Sequence, residues 1–485
     1  CLQKRGRTNL SNLPPSSHSL MAASGSSSRA ISANLPEDCS KSPLSHLPLD
    51  HLFSILLILP IDSILSFTTT CRRFRSLACS DTLWKSICRR DWGDASVDAL
   101  QSSNTHSHLR LLPWMKLYQQ VSQLETVYCH RLTNSDSDSE VPRPRASHSL
   151  NFVSDCLVLY GGGCEGGRHL DDTWVVHIGN DSPRMLKWQR MSSGIPNGRF
   201  GHTCVAIMKS LILFGGINDQ GVRKNDTWVG QIAPHDSLRF TLSWSLLDVG
   251  GFAPPPRGAH AACSVDNNLM IIHGGIGPCG LRLSDTWVLE ISENLHHGIW
   301  HEAVPMQAHP SPPARSGHSM TSVSQTRTVL FGGRGVGYEV LNDVWVLDLS
   351  EGSLRWAPVP YDLECVTEGG SLARVGHSAT LVIGGRLLIH GGEDSDRHRK
   401  DDFWLLDVGE IRQPGQGKGK MWKRVGSRGF RPSRRSFHRA CVDLSGCYLY
   451  VFGGMVDGLV QPPPAHHSGM GFDGDFFLVE LLVQP

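Results

Sequence analysis

The apolar residues of this chain follow two different periodicities. Between residues 44 and 92 they recur every three or four positions, as Leu49, Leu52 and Leu56 do, which is typical of amphipathic helices. From about residue 127 onward, short apolar runs alternate with glycine pairs, which indicates short β-strands joined by tight turns. The sequence therefore predicts a small all-α bundle followed by a larger, mainly all-β region.

The helical segment carries three short motifs in a fixed order. They are Leu47-Pro48, Cys71-Arg72-Arg73-Phe74 and Asp81-Thr82-Leu83-Trp84. In these motifs the segment resembles an F-box over nearly its whole length. A bundle of about 45 residues is marginal on its own, so part of its apolar surface is predicted to serve a partner.

The F-box resemblance implies docking on a Skp-type adaptor of a cullin ubiquitin ligase. The residues that would contact the adaptor are Leu47, Pro48, Leu52, Ile55, Leu56 and Leu59. The alternative is a helical hairpin that only packs against the rest of the chain.

Six repeats follow, each built from the same signals in the same order. An Arg-x-x-His motif opens them at Arg145/His148, Arg199/His202, Arg257/His260, Arg315/His318, Arg374/His377 and Arg435/His438. Glycine pairs follow at Gly161-Gly162, Gly215-Gly216, Gly274-Gly275, Gly332-Gly333, Gly391-Gly392 and Gly453-Gly454. An Asp-x-aromatic motif comes next at Asp172/Trp174, Asp226/Trp228, Asp285/Trp287, Asp343/Trp345, Asp402/Trp404 and Asp475/Phe477. A single tryptophan then opens a fourth strand at Trp188, Trp244, Trp300, Trp356 and Trp422.

Successive repeat arginines are 54 to 61 residues apart, slightly more than the roughly 50 residues of a kelch repeat. In its motifs this region resembles kelch repeats, which implies a six-bladed β-propeller of four-stranded blades. The sixth repeat lacks the final tryptophan, but residues 127–133 carry Tyr128 at the equivalent place. An N-terminal strand is therefore predicted to complete the last blade and close the ring.

These motifs divide the chain into four segments. Residues 1–42 are rich in Ser, Asn, Pro and Ala and are predicted to form a disordered tail. Met21 is an alternative start, which would place residues 1–20 upstream of the protein, and a short transit peptide in the tail stays open. The F-box is assigned to residues 43–92, a linker with one helix to 93–126, and the propeller to 127–485.

Composition narrows the classes of partner. The 46 Lys and Arg nearly balance the 45 Asp and Glu, so no global field favours nucleic acid or an anionic membrane. The basic stretch at residues 418–439 lies on the repeat pattern and is interpreted as a loop between strands. The 14 cysteines show no metal-ligand spacing, and the apolar run at residues 52–59 is too short to span a membrane. No cofactor, metal, nucleic-acid or membrane partner is predicted.

The repeated Arg and His could suggest a ring of metal ligands. A residue present in every repeat is more simply explained by a need of the scaffold, so function is expected where the repeats differ. In similar kelch substrate receptors, residues at the repeated Arg position and just after the glycine pair line the channel mouth. By that resemblance the candidate target contacts are Arg199, Arg257, Arg315, Arg334, Arg374 and Glu393.

The order of an F-box and six kelch repeats also resembles the zeitlupe-type receptors of plants, without their light-sensing flavin domain. The resemblance implies a non-catalytic substrate-recognition subunit of an SCF-type ubiquitin ligase, located in the cytoplasm, the nucleus or both. One alternative is an adaptor-bound scaffold that does not turn over a target. Another is a metalloenzyme on a kelch propeller, although neither a Tyr/His/Cys ligand set nor an E-x-x-x-D-x-x-x-H motif is present.

Overall fold

The computed structural model describes most of the chain from residue 43 onward. The described ranges are 43–102, 112–134, 140–178, 185–191, 194–235, 240–303, 310–350, 354–361, 372–409, 421–457 and 470–482. The tail predicted for residues 1–42 lies outside them. The chain divides into two compact units, residues 1–78 and 79–485. In the described residues no helix is both long and apolar enough to cross a membrane.

The first unit is helical, as the apolar periodicity predicts. After a 3₁₀ turn at Pro43–His46 it forms α1 (Leu49–Ile58), α2 (Ile61–Phe67) and α3 (Arg72–Ala78). Pro48 and Pro60 immediately precede α1 and α2 in an extended conformation, where their missing N–H groups cost the helices no hydrogen bond. The core of the unit contains Leu52, Cys71 and Phe74, and the Phe74 ring stacks on Phe67 with centroids 4.3 Å apart.

The second unit begins with three helices: α4 (Asp81–Trp92), α5 (Asp94–Ser102) and α6 (Trp114–Ser122). The backbone N–H of Trp114 donates to the Asp81 carboxylate at 2.6 Å, and the Tyr118 hydroxyl donates to Asp91 at 2.8 Å. One buried residue of α5 and the two buried residues of α6 share a cluster with apolar residues of the β region. That cluster contains Leu100, Leu117, Val121, Ile383, Cys447 and Leu482. The linker helix predicted near Trp114 is therefore packed against the β region.

The remainder of the second unit consists of short β-strands. In chain order they are β1 (Thr126–Arg131), β2 (Thr133–Asn134), β3 (Ser149–Val153), β4 (Cys156–Tyr160), β5 (Thr173–His177), β6 (Met185–Leu186), β7 (Gln189–Arg190), β8 (Thr203–Ile207), β9 (Ser210–Phe214), β10 (Thr227–Pro234), β11 (Phe240–Leu246), β12 (Ala261–Val265), β13 (Leu269–Ile276), β14 (Arg282–Ile291), β15 (Gly298–Glu302), β16 (Arg315–Ser316), β17 (Ser319–Ser322), β18 (Arg327–Gly335), β19 (Val340–Asp348), β20 (Arg355–Val359), β21 (Ser378–Val382), β22 (Arg386–His390), β23 (Phe403–Asp407), β24 (Trp422–Gly429), β25 (Arg435–Ser436), β26 (Arg439–Val442), β27 (Tyr448–Phe452), β28 (Met455–Asp457), β29 (Met470–Phe472) and β30 (Phe476–Glu480).

These strands form meandering antiparallel sheets, one sequence repeat after another. Four sheets have the strand orders β3-β4-β5-β7, β11-β10-β9-β8, β12-β13-β14-β15 and β16-β18-β19-β20, with β17 also paired to β18. A fifth, eight-stranded sheet has the order β21-β22-β23-β24-β1-β30-β27-β26. The short strands β2 and β6 form one parallel pair, and β25, β28 and β29 form a small antiparallel sheet. This arrangement is a β-propeller, and the mainly β prediction is confirmed.

The eight-stranded sheet joins the two ends of the β region. β1 lies antiparallel to β30, with Tyr128 opposite Glu480, and parallel to β24, with Tyr128 opposite Arg428. The strand at residues 126–131 thus supplies the fourth strand of the sheet that the last repeat forms. Arg131 on this strand also donates to Asp475 at 2.6 Å.

The apolar cores of the β region lie between successive repeats. One cluster contains Phe214 of the second repeat and Trp300 of the third, and comparable clusters join each later pair. The last and first repeats share a cluster as well, with Tyr450 and Phe476 packed near Trp174. Because each core needs two repeats, no repeat is buried without its neighbours.

Candidate functional site

A buried ion pair fixes the start of each of the first five repeats. In the second repeat, Arg199 donates to the two carboxylate oxygens of Asp226 at 2.6 and 2.9 Å and to the carbonyl oxygen of Gly215 at 2.9 Å. The Trp228 indole N–H donates to the same carboxylate at 2.7 Å. Burial alone would raise the pKa of Asp226, but the hydrogen bonds from Arg199 and Trp228 hold it below its usual value. The repeated Arg, Asp and Trp are therefore one structural unit.

This geometry corrects part of the predicted target site. Four of the predicted contacts have fully buried guanidinium groups that bind the aspartate of their own repeat: Arg199, Arg257, Arg315 and Arg374. Each of them also donates from Nε to a backbone carbonyl oxygen two residues upstream. A buried side chain whose donors are used this way cannot contact a target at the surface, so these arginines belong to the scaffold.

The repeated histidines also connect the scaffold, from one repeat to the next. His202 lies 3.2 Å from the Ser149 hydroxyl of the preceding repeat, and His260 lies 2.7 Å from Thr203. Burial lowers the pKa of all six repeat histidines well below the usual value. These buried rings are held neutral, and four of them are hydrogen-bonded to a hydroxyl group of the preceding repeat, so they serve the packing of the repeats.

The sixth repeat uses a different carboxylate from the one predicted. Arg435 donates to Asp473 at 2.8 Å, whereas Asp475 accepts from Arg131 of the closing strand. Phe477 replaces the indole donor of the other repeats and presents its ring 5.0 Å from the Arg435 guanidinium carbon. The motif Asp475/Phe477 therefore matches in sequence but not in hydrogen bonding, because the last strand is shared with the N-terminal strand.

Six peptide groups form a closed ring at one end of the β region. Each of the six residues that precede the repeat histidines donates its N–H to the carbonyl oxygen of the equivalent residue in the preceding repeat, at 2.6 to 2.9 Å. The members are Ser147, Gly201, Ala259, Gly317, Gly376 and Phe437. All six have a positive φ, which glycine adopts without strain. The ring surrounds the central channel.

A cavity of about 630 Å³ opens beside this ring. Arg334 and Glu393, the two remaining predicted target contacts, both line it and form an ion pair at 2.7 Å. Their side chains are partly exposed, so they are accessible at the channel mouth. Five arginines and a single acidic residue are found among the lining residues that the structure describes: Arg282, Arg334, Arg397, Arg399, Arg439 and Glu393. The mouth therefore presents an excess of positive charge.

Two residues of the sixth repeat were missed by sequence reasoning. Phe437 is a bulky residue at a ring position that small residues occupy in the other repeats. Arg439 follows the repeat histidine, where the other repeats carry Ser, Thr or Ala. The signal was present in the alignment of the repeats, because both positions are irregular in that one repeat.

A possible cation site in the described residues consists of Asp394, Asp396 and His398. The Asp394 carboxylate already accepts from Lys400 at 2.9 Å and from the backbone N–H of His398 at 2.9 Å. This group is explained by the turn that it stabilises.

The predicted adaptor-binding residues divide into a buried and an accessible set. Leu52 and Leu56 are buried and therefore form the helical core. Pro48 and Ile55 are exposed, and Leu47 and Leu59 are partly exposed. Ile58, which was not predicted, is 80% exposed and lies one turn from Ile55 on the same side of α1.

This architecture defines a kelch-type β-propeller protein that carries an F-box-like segment. A model of the KLHDC2/KLHL20/DRC7 Kelch-repeats domain matches residues 118–324 and 239–409. An F-box-like model matches residues 44–90. The two matches agree with the segments that the sequence motifs identify.

Curated relatives identify the family. An F-box/kelch-repeat protein of Arabidopsis thaliana is 54% identical over 459 residues, which cover 92% of this chain and 94% of the relative. Adagio-like protein 1 of Oryza sativa subsp. japonica is 30% identical over 83% of this chain, and Adagio protein 3 of Arabidopsis thaliana is 29% identical over 80%. The chain spans 60% and 58% of these two adagio relatives, respectively. The chain belongs to the F-box/kelch-repeat proteins.

Proposed function

We propose that this protein is a substrate-recognition subunit of an SCF-type ubiquitin ligase. In this proposal the helical unit docks a Skp-type adaptor, which connects to a cullin, and a six-bladed propeller binds a target protein. The chain itself performs no catalysis; it raises the effective concentration of target lysines near a charged conjugating enzyme. Its place of action is the cytoplasm, the nucleus or both.

The observation that carries the adaptor proposal is the accessible apolar side of α1. Ile58 is 80% exposed and Ile55 is 37% exposed, although both are large aliphatic residues in a small helical unit. Exposed aliphatic side chains that are neighbours on a helix favour a helical or flat apolar partner. The match of residues 44–90 to an F-box-like model supports an adaptor of the Skp type.

The target role is supported by the contrast between the channel wall and the channel mouth. The repeated Arg, Asp and His form contacts within the propeller itself. Arg334 and Glu393, by contrast, are partly exposed beside a cavity of about 630 Å³. The closed ring of six peptide groups supports the count of six blades. A scaffold that binds the adaptor without turnover of a target is the second candidate.

Affinity capture of the full chain tests the adaptor proposal. We expect the wild type to retain a Skp-type adaptor and a cullin, and the Ile55→Lys/Ile58→Lys variant to lose both. Lysine suits the last turn of α1 because a positive charge is favourable at a helix C-terminus, so the helix should stay folded. Ser76→Lys, an exposed change in the last turn of α3, is the matched control and should retain both proteins.

Retention of the adaptor by the double lysine variant would exclude this surface as the docking site. Capture of the adaptor without a cullin would favour the scaffold function over the ligase.

A further inference from the structure

The residue that follows each repeat histidine is small in five repeats and is Arg439 in the sixth. The five small residues are Ser149, Thr203, Ala261, Ser319 and Ser378. They lie on the innermost strands of the sheets. These strands supply most of the lining of the central channel, which is a cavity of about 400 Å³. Arg439 therefore places a long cationic side chain where its equivalents place a hydroxyl or a methyl group.

The hydroxyl groups at this position have a defined scaffold role. Ser149, Thr203, Ser319 and Ser378 each bind the histidine of the next repeat, at 2.7 to 3.2 Å. In the third repeat, which has alanine here, His273 substitutes and lies 3.2 Å from His318. Every one of these five histidines thus has a partner in the repeat before it.

The sixth repeat does not form the equivalent hydrogen bond to the histidine of the next repeat. Its successor around the ring is the first repeat, and His148 there is fully buried with neither ring nitrogen hydrogen-bonded to any described residue. Arg439 instead donates from Nε to the backbone carbonyl oxygen of His148 at 2.8 Å. A buried polar ring without a partner destabilises the fold, and the bond from Arg439 to the His148 backbone leaves both ring nitrogens without one.

Arg439 also lacks a counter-charge. Among the described residues it forms no ion pair, and it is the sole charged residue that lines the 400 Å³ cavity. It lines the arginine-rich mouth as well, so the guanidinium is reached from that side. A guanidinium carries five N–H donors, of which only Nε–H is hydrogen-bonded to a described residue here. Arg439 is partly exposed, toward the channel, so the other donors can reach a ligand there. An acceptor that carries negative charge would use these donors and balance the charge.

Phe437, two residues before Arg439, has a strained backbone conformation. Phe437 has φ 57°, a conformation that is costly for a bulky side chain and that Gly201, Gly317 and Gly376 adopt freely at the same position. Its ring covers Gly376 so closely that a Cβ atom there would lie 2.9 Å from the ring. Ser147 and Ala259 share this positive φ, but the sixth repeat alone combines it with a bulky side chain and with an arginine two residues later.

We propose that the axial channel binds an oxyanion, a carboxylate or a phosphate group, through the free N–H groups of Arg439. The anion enters from the mouth, where the excess of arginines attracts negative charge. It is either the side chain of an acidic target segment or a free small anion. This site extends the proposed target-binding role of the propeller and does not depend on adaptor docking.

Thermal denaturation of the full chain in phosphate tests the site. Sodium phosphate should raise the midpoint of the wild type progressively, relative to sodium chloride at the same ionic strength, and should leave Arg439→Ser unchanged. Arg434→Ser removes an exposed arginine from the same repeat and should respond like the wild type. An equal response of Arg439→Ser and the wild type, or no effect of phosphate beyond that of chloride, would overturn the proposal.

Labelled hexaglutamate, with hexaglutamine as the control, separates the two sources of the anion. Binding of hexaglutamate to the wild type, displaced by phosphate and absent in Arg439→Ser, assigns the site to an acidic target segment. Phosphate binding without peptide binding assigns it to a free anion. Peptide binding that is equal in the wild type and Arg439→Ser would contradict a role for Arg439. Adaptor capture by Arg439→Ser should match the wild type, so the adaptor proposal is tested separately.

Discussion

The first five repeats and the sixth repeat start from the same motif and use it differently. In the first five, one aspartate binds both the repeat arginine and an indole. A serine or threonine hydroxyl, or His273 in the third repeat, also binds the histidine of the next repeat. The sixth divides these tasks between Asp473 and Asp475, and it places Phe437 and Arg439 at the channel axis. Regular repeats thus build the ring, and the irregular repeat is where specific chemistry is found.

Acid should have the largest effect, because it acts on a feature that all repeats share. Eight buried histidines have a pKa lowered by desolvation, to about 3 for His273, His377 and His390. The histidine pKa in the unfolded chain is about 6.5. Below that pH the unfolded chain binds protons that the folded chain does not, so the free energy of unfolding decreases as the pH is lowered. Each histidine contributes at most about 1.4 kcal/mol per pH unit below that value.

We therefore expect the unfolding midpoint to fall steeply between pH 7 and pH 5.5, before the aspartates titrate. Thermal denaturation in matched buffers measures this. A midpoint that stays constant over that range would show that the repeat histidines are not held neutral by burial.

The buried ion pairs should show the next largest effect and should distinguish the repeats. Asp226→Asn leaves the Arg199 guanidinium buried without a counter-charge, which typically costs about 3–5 kcal/mol of stability. Asp473→Asn should cost clearly less, because Asp475 and the Phe477 ring also lie near Arg435. Urea unfolding of both variants gives the comparison. Equal losses would mean that the sixth repeat has the same ion-pair energetics as the others.

The smallest effect concerns the strained ring position. Phe437→Gly should raise stability by about 1 kcal/mol, because glycine adopts the positive φ without strain. Gly376→Ala is the opposite change and should lower stability, since its Cβ would meet the Phe437 ring. Urea unfolding checks both, and a loss of stability in Phe437→Gly would show that the ring serves the core.

Much of the fold follows from residues visible in the sequence. The repeated Arg, Gly-Gly and Asp-x-Trp motifs predict the sheets, because each motif performs the same local task every time. Tyr128 also indicates the N-terminal strand that pairs with β30. Proline before α1 and α2 predicts where those helices begin.

The candidate site was less predictable, for physical reasons. The sequence does not show whether an arginine points to the mouth or into the wall. The repeat residue Arg257 is fully buried, while Arg334, which follows a glycine pair, is partly exposed. The partner of Arg435 depends on how the last strand is shared, so Asp473 could not be chosen over Asp475 from spacing. Leu52 and Ile55 likewise share a helix, but packing buries the first and exposes the second.

The most direct test of a specialised sixth repeat is the stability of Arg439→Ser without any ligand. Serine would restore the hydroxyl found in four other repeats, offer His148 a hydrogen-bond partner and remove an unpaired charge from the channel. We predict that its unfolding midpoint in phosphate-free, low-salt buffer is higher than that of the wild type by about 2 °C. A lower midpoint would show that Arg439 stabilises the propeller and would contradict the assignment of this repeat to binding.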